Sequence, residues 1–120
     1  MASILVVDDD VNICQLVFDF FSGLKGHTVH QAHNAADAVA LVQQHRPQIA
    51  LLDIMMPGVH GVEVLRRIKQ IDPDIKAIMI TAVNDTEIAS EALAAGAIDY
   101  VTKPLDLNYL DALVTFQAME

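Results

Sequence analysis

The chain has 120 residues, 53% of them hydrophobic, and its 16 Asp and Glu residues against 7 Lys and Arg residues give a formal net charge of −9. This length and apolar content predict one folded domain with a core and exclude a disordered chain. The negative charge repels phosphate backbones, so we expect no direct nucleic-acid binding, and no apolar run approaches the ~20 residues that span a membrane.

Short β-type runs alternate five times with longer helical runs. The first, third and fourth strands are nearly all apolar, which is typical of strands buried on both faces, whereas the second mixes polar and apolar residues and is predicted at a sheet edge. The predicted strands are Ser3–Asp8, Thr28–His33, Gln48–Asp53, Ile75–Ile80 and Ile98–Val101. The predicted helices are Val11–Leu24, Ala35–His45, Val62–Ile71, Thr86–Ala95 and Leu107–Met119.

Local signals at the ends of these elements support the assignment. Asn34 and Asn84 are predicted N-caps, and Gly26 and Gly96 stand where helices should stop. The one cysteine, Cys14, excludes an internal disulfide and fits a reducing compartment. Because Cys14 also lies in an apolar stripe of the first helix, we expect it to be an inert core residue. The sequence shows no secretory signal, and we expect a cytoplasmic protein.

Five strand–helix repeats favour a parallel sheet covered by helices on both faces. Right-handed crossovers leave few topologies, and the flavodoxin-like doubly wound (βα)5 order 2-1-3-4-5 places strands one and three side by side. We expect residues 1–120 to form a single domain of this kind.

Acidic residues follow the two strands that this order makes neighbours. Asp8, Asp9 and Asp10 end the first strand, and Asp53 ends the third, so they should meet at the switch point where such folds bind ligands. Carboxylates about 4 Å apart repel by about 4 kcal/mol at an effective dielectric of about 20, and Mg²⁺ neutralises such a cluster. The alternative is that these residues only cap the first helix, which we favour for Asp10 alone.

Asp53 and two further residues at the same edge fit phosphoryl chemistry. Asp53 beside a cation can act as a nucleophile toward phosphorus, the Thr81 hydroxyl can donate to a phosphoryl oxygen, and Lys103 supplies a compact positive charge. Taken singly, each has a plainer interpretation, as a solvated loop carboxylate, a β-forming residue and a surface lysine. Pro104 predicts a rigid turn after Lys103, and a cis peptide bond is one form that such a turn can take.

Together these motifs resemble the receiver domain of bacterial two-component response regulators. The resemblance covers essentially the whole chain. It is carried by Val7-Asp8-Asp9, by Asp53-Ile54-Met55-Met56-Pro57-Gly58 with Gly61, by Thr81-Ala82, and by Gly96-Ala97 followed by Asp99-Tyr100-Val101-Thr102-Lys103-Pro104.

The resemblance implies a regulatory phosphoacceptor domain that assists only its own phosphorylation and dephosphorylation. Asp53 would accept a phosphoryl group from a sensor histidine kinase or a phosphotransfer protein. Asp9, Asp53 and the backbone carbonyl of Met55 would bind Mg²⁺, or Mn²⁺ in its place, and Asp8 would hold the metal through water.

The resemblance also implies a switch. Lys103 would pair with the phosphoryl oxygens, Thr81 would move to hydrogen-bond them, and Tyr100 would turn into the vacated space. The face of helix four, strand five and helix five would then transmit the change to an output such as gene control. Formation of a homodimer through that face is one way in which it could do so.

Two alternatives belong to other classes. Asp8-x-Asp10 after the first strand also fits a phosphatase resembling the haloacid dehalogenase class, with Asp8 as nucleophile and Asp10 as acid/base. In that phosphatase class, however, Gly-Thr should follow the acidic pair, whereas this chain has Val11 and Asn12 at those positions. A receiver that has lost its chemistry and only binds partners is the other alternative, and the intact set of site residues argues against it.

Overall fold

The computed structural model describes residues 2–56, 59–81 and 86–119. Its main sheet has five parallel strands in the order β2-β1-β3-β4-β5. The flavodoxin-like prediction is therefore confirmed, including the edge position of β2. The strands are β1 (Ser3–Val7), β2 (Thr28–Ala32), β3 (Ile49–Asp53), β4 (Lys76–Thr81) and β5 (Asp99–Thr102).

Helices cover both faces of the sheet. They are α1 (Val11–Phe18), α2 (Ala35–His45), α3 (Gly61–Ile71), α4 (Thr86–Ala94) and α5 (Leu107–Ala118). Every strand of the main sheet begins and ends within one residue of its predicted bounds, and so do helices α2 to α5. None of the helices in the described ranges is long and apolar enough to cross a membrane.

The prediction of one continuous helix over Val11–Leu24 is wrong in its second half. The α-helix ends at Phe18, and Asp19–Leu24 form a π-helical segment. The wider π turn advances each side chain by a smaller angle than an α turn, so the apolar stripe loses its register after Phe21. Phe21 is fully buried, whereas Leu24, three residues further along the chain, is 76% exposed.

Alternating side chains of the central strands form two core layers. Leu5 and Leu52 face the layer completed by α2, α3 and α4, whereas Ile4 and Leu51 face the layer completed by α1 and α5. Every residue of β3 is buried, because helices cover the sheet on both sides. The central strands are therefore held rigidly, which fixes where their carboxyl ends lie.

Helix ends follow the sequence signals in part. The Asn34 side chain accepts a hydrogen bond from the Asp37 N–H (2.8 Å), and Gly26 and Gly96 adopt φ of 74° and 110°, as their predicted roles require. Arg46 was not predicted to end α2, but it does so with a left-handed φ of 47°. The predicted cap Asn84 lies outside the described residues.

Two histidine rings stack between β2 and α2, and they make stability depend on pH. His30 and His45 lie 4.2 Å apart between ring centroids at an interplanar angle of 14°. Burial, and then the charge of His45, lower the pKa of His30 below its usual value. As the pH falls, this histidine therefore binds a proton in the unfolded chain before it does so in the folded chain. The free energy of unfolding must then decrease as the pH drops from about 7, through the ordinary histidine pKa of about 6.5, toward the lower pKa that His30 has in the folded chain.

We therefore expect His30→Gln to reduce the loss of melting temperature between pH 7.5 and pH 5.5. His45→Gln should act in the same direction, because it removes the charge that opposes protonation of His30. His33→Gln is the matched control, since His33 is exposed just beyond the same strand. Parallel melting curves measure all four proteins, and equal pH profiles for the parent and His30→Gln would contradict the assignment.

Candidate functional site

The carboxyl ends of four strands bring the predicted site residues to one edge of the sheet. Asp53 is the last residue of β3 and Thr81 the last of β4, while Asp8 follows β1 and Lys103 follows β5. Backbone hydrogen bonds keep these ends in register, because the Lys103 N–H donates to the Thr81 carbonyl (2.7 Å). Asp8, Asp53 and Thr81 are all at most 4% exposed.

Three carboxylates converge at this edge. Ligand oxygens of Asp8, Asp9 and Asp53 lie within 4.8 Å of one another, with Asp9 exposed and the other two buried. Asp10 does not join them: it is the N-cap of α1, and its Oδ1 accepts a hydrogen bond from the Asn12 N–H (2.9 Å). The sequence interpretation, a shared cluster for three acids and a cap for the fourth, therefore matches the geometry.

Lys103 is the counter-ion of the cluster. Its Nζ lies 3.1 Å from Asp8 Oδ2 and 3.7 Å from Asp53 Oδ2. Burial lowers the pKa of Lys103, but close contact with the Asp8 carboxylate and the charges of Asp53 and Asp10 outweigh it, so the pKa is raised overall. Lys103 is therefore charged at neutral pH, and one positive charge faces three negative ones.

The cluster has the chemistry of a site for a hard divalent cation. Asp8 Oδ1 accepts a hydrogen bond from the Asp10 N–H (2.9 Å). Among the residues that the structure describes, none gives the buried Asp8 Oδ2 a well-directed hydrogen bond, although the lysine is near. Oxygen donors with excess negative charge are what Mg²⁺ prefers, so the residues present fit that ion.

The backbone after Asp53 is held by contacts that the sequence did not reveal. The Ile54 N–H donates to the Ile80 carbonyl (2.9 Å), and the Ile54 carbonyl accepts from the Gly61 N–H (2.6 Å). A short antiparallel pairing joins Met55–Met56 to Val59–His60. The predicted Pro57-Gly58 turn lies outside the described residues.

Gly61 begins α3 against the backbone that carries Asp53. A Cβ added to Gly61 would lie 2.5 Å from Ile54 Cα and 2.8 Å from the Ile54 carbonyl oxygen. Neither atom belongs to a flexible side chain, so only backbone movement could make room. The sequence marked Gly61 as part of a motif but gave no reason for it, and this close approach supplies the reason.

On the other side of Lys103, Tyr100 and Tyr109 line an open groove of about 640 Å³ together with Pro104. Tyr100 is half-buried and pairs with Met79 in the sheet. The Lys103–Pro104 peptide bond is cis, in line with the predicted rigid turn. The groove thus adjoins the charged site through Lys103.

Cys14 lies beneath the acidic loop. Its Sγ donates to the Asp8 carbonyl at 3.4 Å, and its side chain is fully buried in the layer with Val17. Burial, and then the charge of Asp8, raise the pKa of the Cys14 thiol to about 11. The thiol is therefore protonated and a hydrogen-bond donor at neutral pH, as the sequence-based expectation of an unreactive core residue requires.

Comparison with known proteins agrees with this fold and site. The fold and the acidic edge define a doubly wound domain with a cluster of carboxylates at the switch point, and a family model for the response regulator receiver domain matches residues 4–115. The chain belongs to this family of two-component receiver domains, which is regulatory. Nothing in these comparisons supports the alternative of a haloacid-dehalogenase-like phosphatase.

Individual relatives show how far the similarity extends. The chain is 36% identical over 105 residues to sporulation initiation phosphotransferase F of Bacillus subtilis (strain 168), covering 88% of this chain and 84% of that protein. It is 40% identical over 107 residues to transcriptional regulatory protein ZraR of Salmonella typhimurium, covering 89% of this chain and 24% of that protein. The chain therefore spans about a quarter of the length of ZraR.

Solved structures agree. A CheY-like receiver domain protein from Methanospirillum hungatei JF-1 superposes with a TM-score of 0.90 at 28% identity, over 99% of this chain and 95% of that one. The BeF3-activated DrrB receiver domain gives a TM-score of 0.88 at 33% identity, over 100% and 99% of the two chains.

The contact between Gly61 and the Asp53 backbone makes a direct prediction. Gly61→Ala should lower the free energy of unfolding by about 1–3 kcal/mol, as overpacking does, and should slow phosphorylation because the added methyl displaces the backbone beside Asp53. Gly23→Ala is the matched control, since an added Cβ there meets no atom within 4 Å. Urea unfolding and acetyl phosphate labelling measure the two effects, and equal behaviour of the two variants would contradict the packing argument.

Proposed function

We propose that Asp53 is the phosphoacceptor of this receiver domain, taking a phosphoryl group from a sensor histidine kinase or a phosphotransfer protein. The observation that carries the proposal is the position of Asp53 at the end of β3, in the carboxylate cluster and 3.7 Å from Lys103 Nζ. An Asp53 oxygen bonds to phosphorus while the P–N bond of a phosphohistidine breaks, and that bond's electron pair stays on the imidazole nitrogen.

Asp8 is the other carboxylate that could attack phosphorus, and its contacts count against it. Asp8 Oδ1 accepts a hydrogen bond from the Asp10 N–H, and Asp8 Oδ2 lies 3.1 Å from Lys103 Nζ. An attack through either oxygen would disrupt the contact that this oxygen makes, whereas Asp8 in its observed place can orient Lys103 and a hydrated cation. This contrast also counts against Asp8 as the nucleophile of a phosphatase.

The remaining site residues neutralise and position charge. Asp9, Asp53 and the backbone carbonyl of Met55 are the proposed direct ligands of Mg²⁺ or Mn²⁺, with Asp8 acting through water. When bound, the cation offsets negative charge on the phosphoryl oxygens. Lys103, already charged and directed into the cluster, supplies the second neutralising group and lets the domain assist its own phosphorylation and dephosphorylation.

Thr81 and Tyr100 are the proposed switch. Thr81 is buried at the end of β4, the strand that pairs with β3, so a phosphoryl group on Asp53 would lie at the same sheet edge as the Thr81 hydroxyl. Tyr100, half-buried on the neighbouring β5, borders the groove that adjoins Lys103. A change at Thr81 can therefore reach the surface of α4, β5 and α5 through one strand.

In a longer regulator, the whole of residues 1–120 would act as one receiver domain that controls an output. ZraR, a transcriptional regulatory protein, makes gene control the leading candidate. With a net charge of −9, the receiver domain would leave contact with nucleic acid to another part of the protein.

The phosphoacceptor assignment predicts that Asp53→Asn abolishes phosphate incorporation from acetyl phosphate and Mg²⁺. Intact mass spectrometry measures the added phosphoryl group. Asp10→Asn is the matched control, because it removes one nearby carboxylate while asparagine still caps α1. Undiminished labelling of Asp53→Asn, or loss of labelling in Asp10→Asn only, would place the phosphoacceptor elsewhere.

The carboxylate cluster predicts that Mg²⁺ stabilises the fold. At ten times its dissociation constant, the cation should add about 1.4 kcal/mol to the free energy of unfolding, because it binds the folded state only. Asp9→Asn should lose most of this gain while still folding, since Asp9 is exposed. Melting curves with MgCl2, compared with NaCl at equal ionic strength, separate binding from screening, and identical curves in the two salts would contradict a cation site.

We also propose that phosphorylation promotes a homodimer through the face formed by α4, β5 and α5. Leu93, Ile98 and Phe116 on or beside these elements are 45%, 39% and 66% exposed, and residues 85–96 contain no Lys or Arg. Apolar contact should therefore dominate. Sedimentation with beryllofluoride at low and high salt tests this, and a dimer that dissociates in moderate salt would contradict it.

A further inference from the structure

We propose that Cys14 is a positioning residue for the acidic site: its thiol holds the backbone carbonyl of Asp8 and so fixes the carboxylates of Asp8 and Asp9 relative to Asp53. The inference deepens the proposed function and rests on it, because it concerns the cation site of the same domain. It assigns Cys14 a role beyond that of an apolar core residue.

The thiol lies where β1 ends and the acidic loop begins. Cys14 Sγ is 3.4 Å from the Asp8 carbonyl oxygen and 3.8 Å from the Ala32 carbonyl oxygen. The Ala32 carbonyl also accepts a hydrogen bond from the Asp8 N–H (3.1 Å), and this bond extends the β1–β2 pairing by one residue. A thiol has one proton to donate, and the Asp8 carbonyl is the nearer of the two acceptors, so α1 contacts the residue at which the backbone leaves the sheet.

Other contacts hold the loop at different atoms. The Asp10 N–H donates to Asp8 Oδ1, and the Cys14 N–H donates to the Asp10 carbonyl (3.2 Å). These bonds fix the turn into α1, and none of them involves the Asp8 carbonyl oxygen. The thiol adds a restraint at that oxygen, which belongs to the peptide group joining Asp8 to Asp9.

A second observation shows why the restraint matters. Asp8 is 1% exposed, and its Oδ2 lacks a well-directed hydrogen bond from any part of the chain that the structure describes. A buried oxygen of this kind can serve a cation or its water only if its position is held in advance. An alkyl side chain at position 14 would fill similar space but would offer the Asp8 carbonyl no donor.

Three variants separate positioning from packing. Cys14→Ala removes the donor and some volume, Cys14→Ser keeps a donor, and Val17→Ala creates a cavity in the same helix face. Val17 is fully buried in the same core layer. Both alanine variants should lower the melting temperature, but positioning predicts that only Cys14→Ala weakens Mg²⁺ binding.

The test is calorimetric titration of the folded proteins with MgCl2. We expect the dissociation constant to rise about two- to fivefold in Cys14→Ala, the size of one modest hydrogen bond, and to stay within about twofold of the parent in Cys14→Ser and Val17→Ala. Equal weakening in both alanine variants would mean that packing alone matters and would overturn the proposal.

The hydrogen bond of the Cys14 thiol can also be measured in the parent protein itself. The chain has one cysteine, so its infrared S–H stretching region holds one band. We expect a band shifted to the frequency of a hydrogen-bonded thiol, and a further shift on adding MgCl2 that is absent in Asp9→Asn. A band at the frequency of a free thiol would overturn the hydrogen bond while leaving Asp53 as phosphoacceptor untouched. A bonded thiol in a parent that binds no Mg²⁺ would overturn both the positioning role and the proposed cation site.

Discussion

Repulsion among the carboxylates at the ends of β1 and β3 is the constraint on which the rest of the site depends. Ligand oxygens of three negative groups lie within 4.8 Å of one another, and the charged Lys103 side chain lies beside them. At such distances each pair of carboxylates repels by a few kcal/mol even at an effective dielectric of about 20. The parallel sheet tolerates this cost because its core packs on both faces and holds the strand ends in place.

The same repulsion explains why the acidic residues at this edge have different roles. Asp10, directed at the N-terminus of α1, is stabilised by the helix, whereas Asp8 is buried and relies on Lys103. Asp9 is exposed and can turn toward a cation from solvent. One acidic run thus provides a structural cap, a buried charge partner and an accessible ligand, because consecutive residues leave a strand end in different directions.

Much of this arrangement could be predicted from the sequence. Period and composition place Asp8, Asp53, Thr81 and Lys103 at strand ends, and parallel strands bring such ends to one edge. The π-helical segment at Asp19–Leu24 was not predictable in this way, because an apolar stripe at 14, 17 and 21 fits a plain α-helix equally well. Contacts at Gly61 depend on how closely α3 approaches the backbone after β3, which periodicity does not report.

Lys103 links the charge balance to the proposed switch. If Asp53 carries a phosphoryl group, the strongest negative charge near the lysine moves from Asp8 toward the phosphoryl oxygens. In that case Lys103, which lies 3.1 Å from Asp8 Oδ2, would be drawn toward the phosphoryl oxygens. Lys103 directly follows β5 and borders the groove with Pro104 and Tyr109, so such a shift would alter the groove. The lysine that makes the acidic cluster tolerable in the unphosphorylated domain would therefore also pass the proposed change on to the surface.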